Sequence, residues 1–417
     1  MNEACSIPIE ALYVHVPFCA KKCSYCAFYS EASNGERINA YVRALIRELE
    51  MVADDLKPRT IFFGGGTPSL LNLQQWERIL ESMRQLNLAR RIEWTVECNP
   101  ATISLDKARL LRSYGVNRIS MGVQSLNNSL LERLGRIHSR EMVFKSFEIL
   151  RRAGFDNLNL DLMFAIPGQS LEVWRETLTE AIAIGSEHLS CYEVIYEEDT
   201  PLYEQLKAGQ FAVDEELACA MYDELLERAA AAGLHQYEVA NFARESFTGF
   251  AAAKEDSAFH AEAKWHKGGG EDQGKLSSAS VPPTYACRHN LNYWRGGCFL
   301  GLGPSAAGYI NQVRTKNWSN TDIYCRELEA GRRAIESVDE LAPLARAGET
   351  AAFGLRMVAG WDFQQFRQIT GYDLQQEWPA QIEQLIEQGW GRKSADRFQL
   401  TAQGLRFADA AGALFLR

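Results

Sequence analysis

LYVHVPFCAKKCSYC, residues 12–26, joins a β-rich run directly to three cysteines in a short loop. Five further β-rich runs follow: TIFF (60–63), IEWTV (92–96), RISMGV (118–123), LNLDLMF (158–164) and LSCYEVI (189–195). Between them, stretches such as INAYVRALIRELEMVADDL and LQQWERILESMRQL place apolar residues at i, i+3, i+4 and i+7, the helical period. Strand-helix alternation of this kind predicts βα units and a parallel sheet. Six units make either an open doubly wound sheet or an incomplete (β/α) barrel, and the position of the polar residues chooses between them. The cysteines follow the first run, GGGTP the second, Glu97 the third and Gln124 the fourth; Asp161 lies within the fifth, and Tyr192 and Glu193 within the sixth. Function drawn from many strand ends at once is the barrel pattern, so the fold expected is α/β, a partial (β/α)6 barrel.

Composition sets the outer limits. A chain of 417 residues suits a large α/β domain plus a smaller one, and 46% hydrophobic with 24% charged residues is the balance of a globular protein. A net charge of -10 argues against a polyanion as main partner, so nucleic acid is not expected. No stretch reaches the roughly 18 uninterrupted apolar residues of a membrane span, and the N-terminus has no signal-peptide pattern; a cytoplasmic protein is expected.

The predicted organisation is a barrel over residues 1–242, an inserted loop over 243–283, a connecting region over 284–336 and a small winged-helix-like domain over 337–417. The insertion is rich in Ala, Gly, Ser and Lys, and its His260 and His266 read as solvated side chains. Residues 340–417 carry eight Lys/Arg against nine Asp/Glu, which suits a structural or docking role better than DNA binding.

Of ten cysteines, seven are scattered and read as incidental thiols; Cys19, Cys23 and Cys26 cluster. Three soft ligands in one loop suit an iron-sulfur cluster with one iron left open. A zinc site would ordinarily need a fourth ligand, often from a second CxxC, and the chain has none. Gly64, Gly65 and Gly66 let the backbone approach a ligand closely, but the block lacks the GK[ST] of a phosphate loop.

The CX3CX2C spacing, with YVHVPFC leading into it, GGTP one strand later and ECNP, SMGVQS, LGRIHS and DLMFAIPGQS in order, resembles the coproporphyrinogen-oxidase-like family of radical S-adenosylmethionine (SAM) proteins. The resemblance implies a [4Fe-4S] cluster on Cys19, Cys23 and Cys26. It also implies a SAM site formed by Tyr13, Gly65, Gly66, Thr67, Glu97, Gln124, Arg136 and Asp161. Glu97 and Asp161 would accept hydrogen bonds there, and Arg136 would donate near the carboxylate.

The family holds two activities. One is oxygen-independent coproporphyrinogen III oxidation, begun by a 5'-deoxyadenosyl radical; the other is heme binding and delivery to client proteins. Oxidases in it typically carry a further cysteine two residues after the third cluster cysteine and a longer segment before the motif, whereas this chain has Phe28 there and begins the motif at residue 19. CRHNLNYWR (287–295) is similar to the heme motif HNxxYW of the chaperone branch, which implies heme contacts at His289, Tyr293 and Trp294. The chaperone with heme-accepting clients is therefore expected, the oxidase is the alternative, and a cluster-based redox-sensing DNA regulator is the reading from outside the family. No residue is assigned a catalytic role. In relatives YEVANFA (237–243) runs almost directly into the heme motif, whereas about forty residues intervene here.

Overall fold

The computed structural model describes residues 9–32, 35–88, 92–246 and 281–417. Most of the predicted insertion lies outside the described residues, as do His260 and His266. Six parallel strands, β1 (Ile9–Val16), β2 (Leu56–Gly65), β3 (Glu93–Cys98), β4 (Arg118–Gln124), β5 (Leu158–Phe164) and β6 (His188–Glu193), are hydrogen-bonded in chain order. An open doubly wound sheet would reverse that order at a switch point; an unbroken sequence of neighbours belongs to a barrel wall.

The longer helices between and after these strands, α1 (Gly35–Val52), α2 (Leu73–Gln85), α3 (Leu105–Ser113), α4 (Arg140–Arg152), α5 (Leu171–Ile184) and α6 (Glu215–Ala231), pack on the outside of this wall. α1 buries Ile38, Tyr41, Val42, Leu45, Leu49 and Val52, and α2 starts in a capping box between Asn72 and Gln75. Alternation along each strand divides the two faces. Leu12, Val14 and Val16, Ile61 and Phe63, Ile119, Met121 and Val123 all belong to the apolar core shared with the helices. The opposite positions, His15, Glu97, Ser120, Asn159, Asp161 and His188, give the barrel a polar interior.

Three short strands extend the wall. Beyond β6 lie β8 (Asn241–Ala243) and then β7 (His235–Gln236), both antiparallel; beyond β1 lies β9 (Leu300–Leu302), parallel to it. The region read from sequence as a connector is thus part of the barrel, with Leu300, Leu302, Tyr324 and Leu328 in the same apolar core. It comprises α7 (Arg288–Trp294), β9, an antiparallel sheet of β10 (Ala307–Ile310), β11 (Val313–Asn317) and β12 (Ile335–Asp339), and α8 (Thr321–Glu329). β12 crosses the boundary expected at 337 and belongs to this side of it. Its short strands and polar turns left no strong period in the sequence.

The last part has the element order of a winged helix: α9 (Pro343–Leu355), β13 (Trp361–Asp362), α10 (Phe363–Thr370), α11 (Pro379–Glu387), β14 (Gly391–Lys393) and β15 (Arg397–Leu400). It has its own core around Trp361, Phe366, Trp378 and Phe415. Gly354 is required there, because a Cβ would stand 2.1 Å from the Trp361 ring.

Glu48 of α1 ties the connector to the barrel. Fully buried, it accepts hydrogen bonds from Gly303 N (2.9 Å), Asn317 Nδ2 (2.9 Å) and Tyr324 Oη (2.7 Å). Glu48→Ala leaves three donors without a partner and is expected to cost ~3–5 kcal/mol of stability in urea unfolding, with Glu48→Gln milder. A loss under ~1 kcal/mol for Glu48→Ala would show that the connector is held by apolar packing alone.

Candidate functional site

The carboxyl ends of the strands and the loops after them enclose a cavity of about 460 Å³. Cys19, Cys23, Cys26, Gly65, Gly66, Thr67, Glu97, Gln124, Arg136 and Asp161 all line it, so residues from five strand ends converge on one space. The loop that carries the three cysteines is bound to its surroundings through sulfur. Thr67 Oγ1 lies 3.6 Å from Cys19 Sγ, and Arg136 Nη1 lies 3.4 Å from Cys23 Sγ. Arg136 Nη2 donates to Gly122 O at 2.6 Å, which holds the guanidinium between the loop and β4. Among the described residues no three His, Cys, Asp or Glu side chains converge on a single metal ion. Thiolates on a cubane attach to separate irons and need no such convergence.

The glycines of GGGTP serve packing. Gly65 has φ of 101°, and a Cβ there would stand 2.4 Å from the His15 ring; one on Gly66 would stand 2.7 Å from Val16 O and Phe18 O. Only glycine lets β2 end this close to the exit of β1. Gln124 has a left-handed φ of 65° beside a register shift in β4, so a bulge turns this strand end at the cavity.

Tyr13 is not on the cavity wall. Its hydroxyl donates to His15 Nδ1 (3.0 Å), because His15 Nε2 must donate to the Tyr29 carbonyl (2.9 Å). Burial lowers the His15 pKa and keeps the ring neutral. Among the described residues Tyr13 reaches the cysteine loop through His15, which pins the chain just beyond Cys26.

Two carboxyl groups occupy the cavity floor. Burial, reinforced by the neighbouring Asp161, raises Glu97 from 4.5 to about 8; its Oε2 accepts from Gly65 N at 3.2 Å. Burial also raises Asp161, to about 6, against the opposing pull of Arg118 and of hydrogen bonds from Asn159 (2.7 Å) and Ser120 (3.1 Å). Arg118, Ser120 and Asn159 escaped the reading by motif, and His15 was quoted within YVHVPFC without a role of its own. Their signal was alternation: each lies an even number of residues from a predicted residue on the same strand.

His289, Tyr293 and Trp294 are elsewhere. Thr60, in the first half of β2, and Glu93, which starts β3, place His289 toward the base of the barrel, away from the cavity. His289 is 1% exposed, its Nδ1 is 2.9 Å from Thr60 Oγ1, its Nε2 is 2.8 Å from Tyr293 Oη, and its ring stacks on Phe62. Burial, then Arg118, lower its pKa to about 3. Glu93 accepts from Arg288 N (2.9 Å) and His289 N (3.0 Å) at the start of α7. Trp294 instead leaves the barrel and lies under the Arg356 guanidinium of the C-terminal unit. The intervening segment does not displace the motif: Tyr285 N donates to Arg244 O at 3.3 Å, and Cys287 N donates to Tyr237 Oη at 3.1 Å, so the chain re-enters where it left.

Comparison with known proteins agrees with this geometry. Residues 13–181 match the radical SAM superfamily, and residues 341–407 match the HemN C-terminal domain. The chain is 31% identical to the heme chaperone HemW of Bacillus subtilis (strain 168), covering 95% of this chain and 96% of that protein. It belongs to the HemW family. The HemW of Escherichia coli (strain K12) is likewise 31% identical, covering 98% of this chain and 99% of the relative. Among solved structures, the coproporphyrinogen III oxidase HemN of Escherichia coli, a radical SAM enzyme, superposes with a TM-score of 0.76 over 98% of this chain and 90% of that one, at 22% identity. That likeness shows the shared fold of barrel and C-terminal domain. Among the described residues no helix is long and apolar enough to cross a membrane.

Glu97 gives a pH test of the cavity floor. Its folded pKa of about 8 stands above its ordinary 4.5, so the folded state keeps a proton that the unfolded chain releases. Stability contributed by this group is complete below the ordinary value and is lost as pH rises toward 8. In cluster-free protein, Glu97→Gln is expected to be increasingly stabilising relative to wild type from pH 5 to pH 8 in urea unfolding. A stability difference that does not change with pH would show that Glu97 is charged throughout.

Proposed function

We propose that this chain binds heme and passes it to client proteins, and that it carries a [4Fe-4S] cluster on Cys19, Cys23 and Cys26 with SAM in the cavity beside it. The observation that carries the cofactor reading is the convergence of three thiols, two carboxyl groups and Arg136 on one cavity; family membership carries the heme reading. When bound, the cluster supplies an open iron to chelate SAM and an electron source. Gly65, Gly66 and Thr67 offer backbone and hydroxyl groups to the methionine end of SAM. Glu97 and Asp161 accept hydrogen bonds, Gln124 stands at the bulge, and Arg136 holds the loop. The polar groups orient a charged cofactor inside an otherwise enclosed site.

The alternative within the family, coproporphyrinogen III oxidation, lacks support at Phe28, which stands at the cavity where the sequence comparison with oxidases would place a cysteine. The C-terminal unit is read as a docking element, since its surface carries no excess of basic residues.

Anaerobic reconstitution followed by titration tests this. Replacing Cys19, Cys23 and Cys26 together by Ala is expected to abolish iron and sulfide retention; full retention would move the cluster elsewhere. Asp161→Ala is expected to weaken SAM binding about tenfold with cluster content unchanged, since a charge-assisted hydrogen bond is lost. Wild-type protein is expected to bind hemin and, when given coproporphyrinogen III with SAM and reductant, to form no protoporphyrinogen IX. Catalytic, SAM-dependent product over many turnovers would restore the oxidase reading. Replacing residues 247–280 by a short linker between the adjoining ends is expected to leave hemin binding intact.

A further inference from the structure

Four large apolar side chains stand exposed on the rim of the cavity: Phe28 at 69%, Ile195 at 65%, Tyr192 at 42% and Ile137 at 41%. They come from three separate places in the chain, the cluster loop, the end of β6 and the segment after Arg136, so no single loop accident explains their meeting. Scattered exposed apolar residues are ordinary, but several gathered on the lip of one polar cavity mark a surface that something apolar covers. Charge is distributed round the same opening. Lys21 and Lys22 are exposed on the cysteine loop and form no ion pair among the described residues, while Glu193 and Glu197, at and just past the end of β6, also line the cavity.

We propose that heme docks across this mouth, one face of the macrocycle on Phe28, Ile137, Tyr192 and Ile195 and its propionates toward Lys21 and Lys22, and that His289 is not its iron ligand. The proposal rests on the reading that the chain binds heme. A flat, largely apolar disc with two anionic groups on one edge matches a rim with apolar side chains and cations at one side. The carboxylates of Glu193 and Glu197 repel the propionate edge and so select the orientation. His289 offers no comparable access. It is sealed at the other end of the barrel with both ring nitrogens engaged, and a ligand bond to either would require breaking a buried hydrogen bond and opening the base of the barrel. With SAM on the cavity floor, the lip is the apolar surface left free beside the cluster.

The test uses full-length, anaerobically reconstituted protein, hemin as ligand, and iron content and SAM affinity as controls for each variant. The double variant Phe28→Ser/Ile195→Ser is expected to weaken hemin binding about tenfold or more, because apolar contact area is lost, with SAM affinity within about twofold of wild type. Ile137→Ser alone, away from the cluster loop, is expected to weaken it in the same direction. Lys21→Glu/Lys22→Glu is expected to weaken hemin more at low salt than at high salt. Iron-free protoporphyrin IX is expected to bind the wild type and to lose affinity in the same rim variants, since the macrocycle provides the contact. His289→Gln is expected to leave the Soret band and the affinity unchanged. Rim variants that bind hemin like wild type, or a His289→Gln variant that alone loses the Soret band, would overturn the proposal. A wild-type protein that binds no hemin would instead refute the heme-binding reading itself.

Discussion

A barrel wall whose outer face is spent on helices has to satisfy its inner face from within, and here that inner face is polar. Asp161 is held by Asn159 at 2.7 Å, Asn159 Oδ1 meets His188 Nδ1 at 2.6 Å, and His188 Nε2 meets Tyr237 Oη at 2.9 Å. Tyr237 in turn takes the Cys287 amide, and the carboxylate of Glu93 takes the next two amides of α7. One hydrogen-bonded line therefore runs from the floor of the cavity to the base of the barrel. Arg118, 2% exposed, supplies positive charge beside it, and its field acts on Asp161, Glu97 and His289 alike. In a low-dielectric interior an unpaired member of such a line is costly, so each member constrains its neighbours.

The same line explains what HNLNYW does in the fold. His289 and Tyr293 close the base of the barrel against Thr60 and Phe62, while Trp294 and Arg295 reach outward. Arg295 donates to Gly360 O at 2.7 Å and lies over Trp361, and Arg356 lies over Trp294. Backbone bonds from Val239 to Arg356 and from Val358 to Tyr237 complete the seam. A motif read from sequence as a ligand site is thus also the wedge on which the C-terminal unit rests.

Much of this was legible because two independent signals coincided. β-rich runs located the six strands to within a few residues, and polar residues at or near their ends selected a barrel and named residues that line its mouth. Arg118 and Asn159 were not found because a buried polar residue at a strand start resembles an ordinary surface position until the inner face is known. β9 has only three residues, and its place beside β1 follows from long-range pairing that no local pattern records. Tyr13 and His289 were read as ligand contacts from the motifs they stand in; in the structure the Tyr13 hydroxyl meets His15 Nδ1, and the His289 ring nitrogens meet Thr60 Oγ1 and Tyr293 Oη.

The joint between Arg244 and Tyr285 sets the tolerance of the chain to change. The cost of closing a loop grows only slowly with its length once its ends are held, and here Arg244 O is bonded to Tyr285 N while Thr284 Oγ1 is bonded to Glu245 Oε2 at 2.7 Å. These bonds among the described residues tie the strand register on one side to the capped helix on the other. The joint is therefore a natural splice point, where a folded reporter whose own termini lie close together can be carried without altering the tension on either the barrel or the wedge.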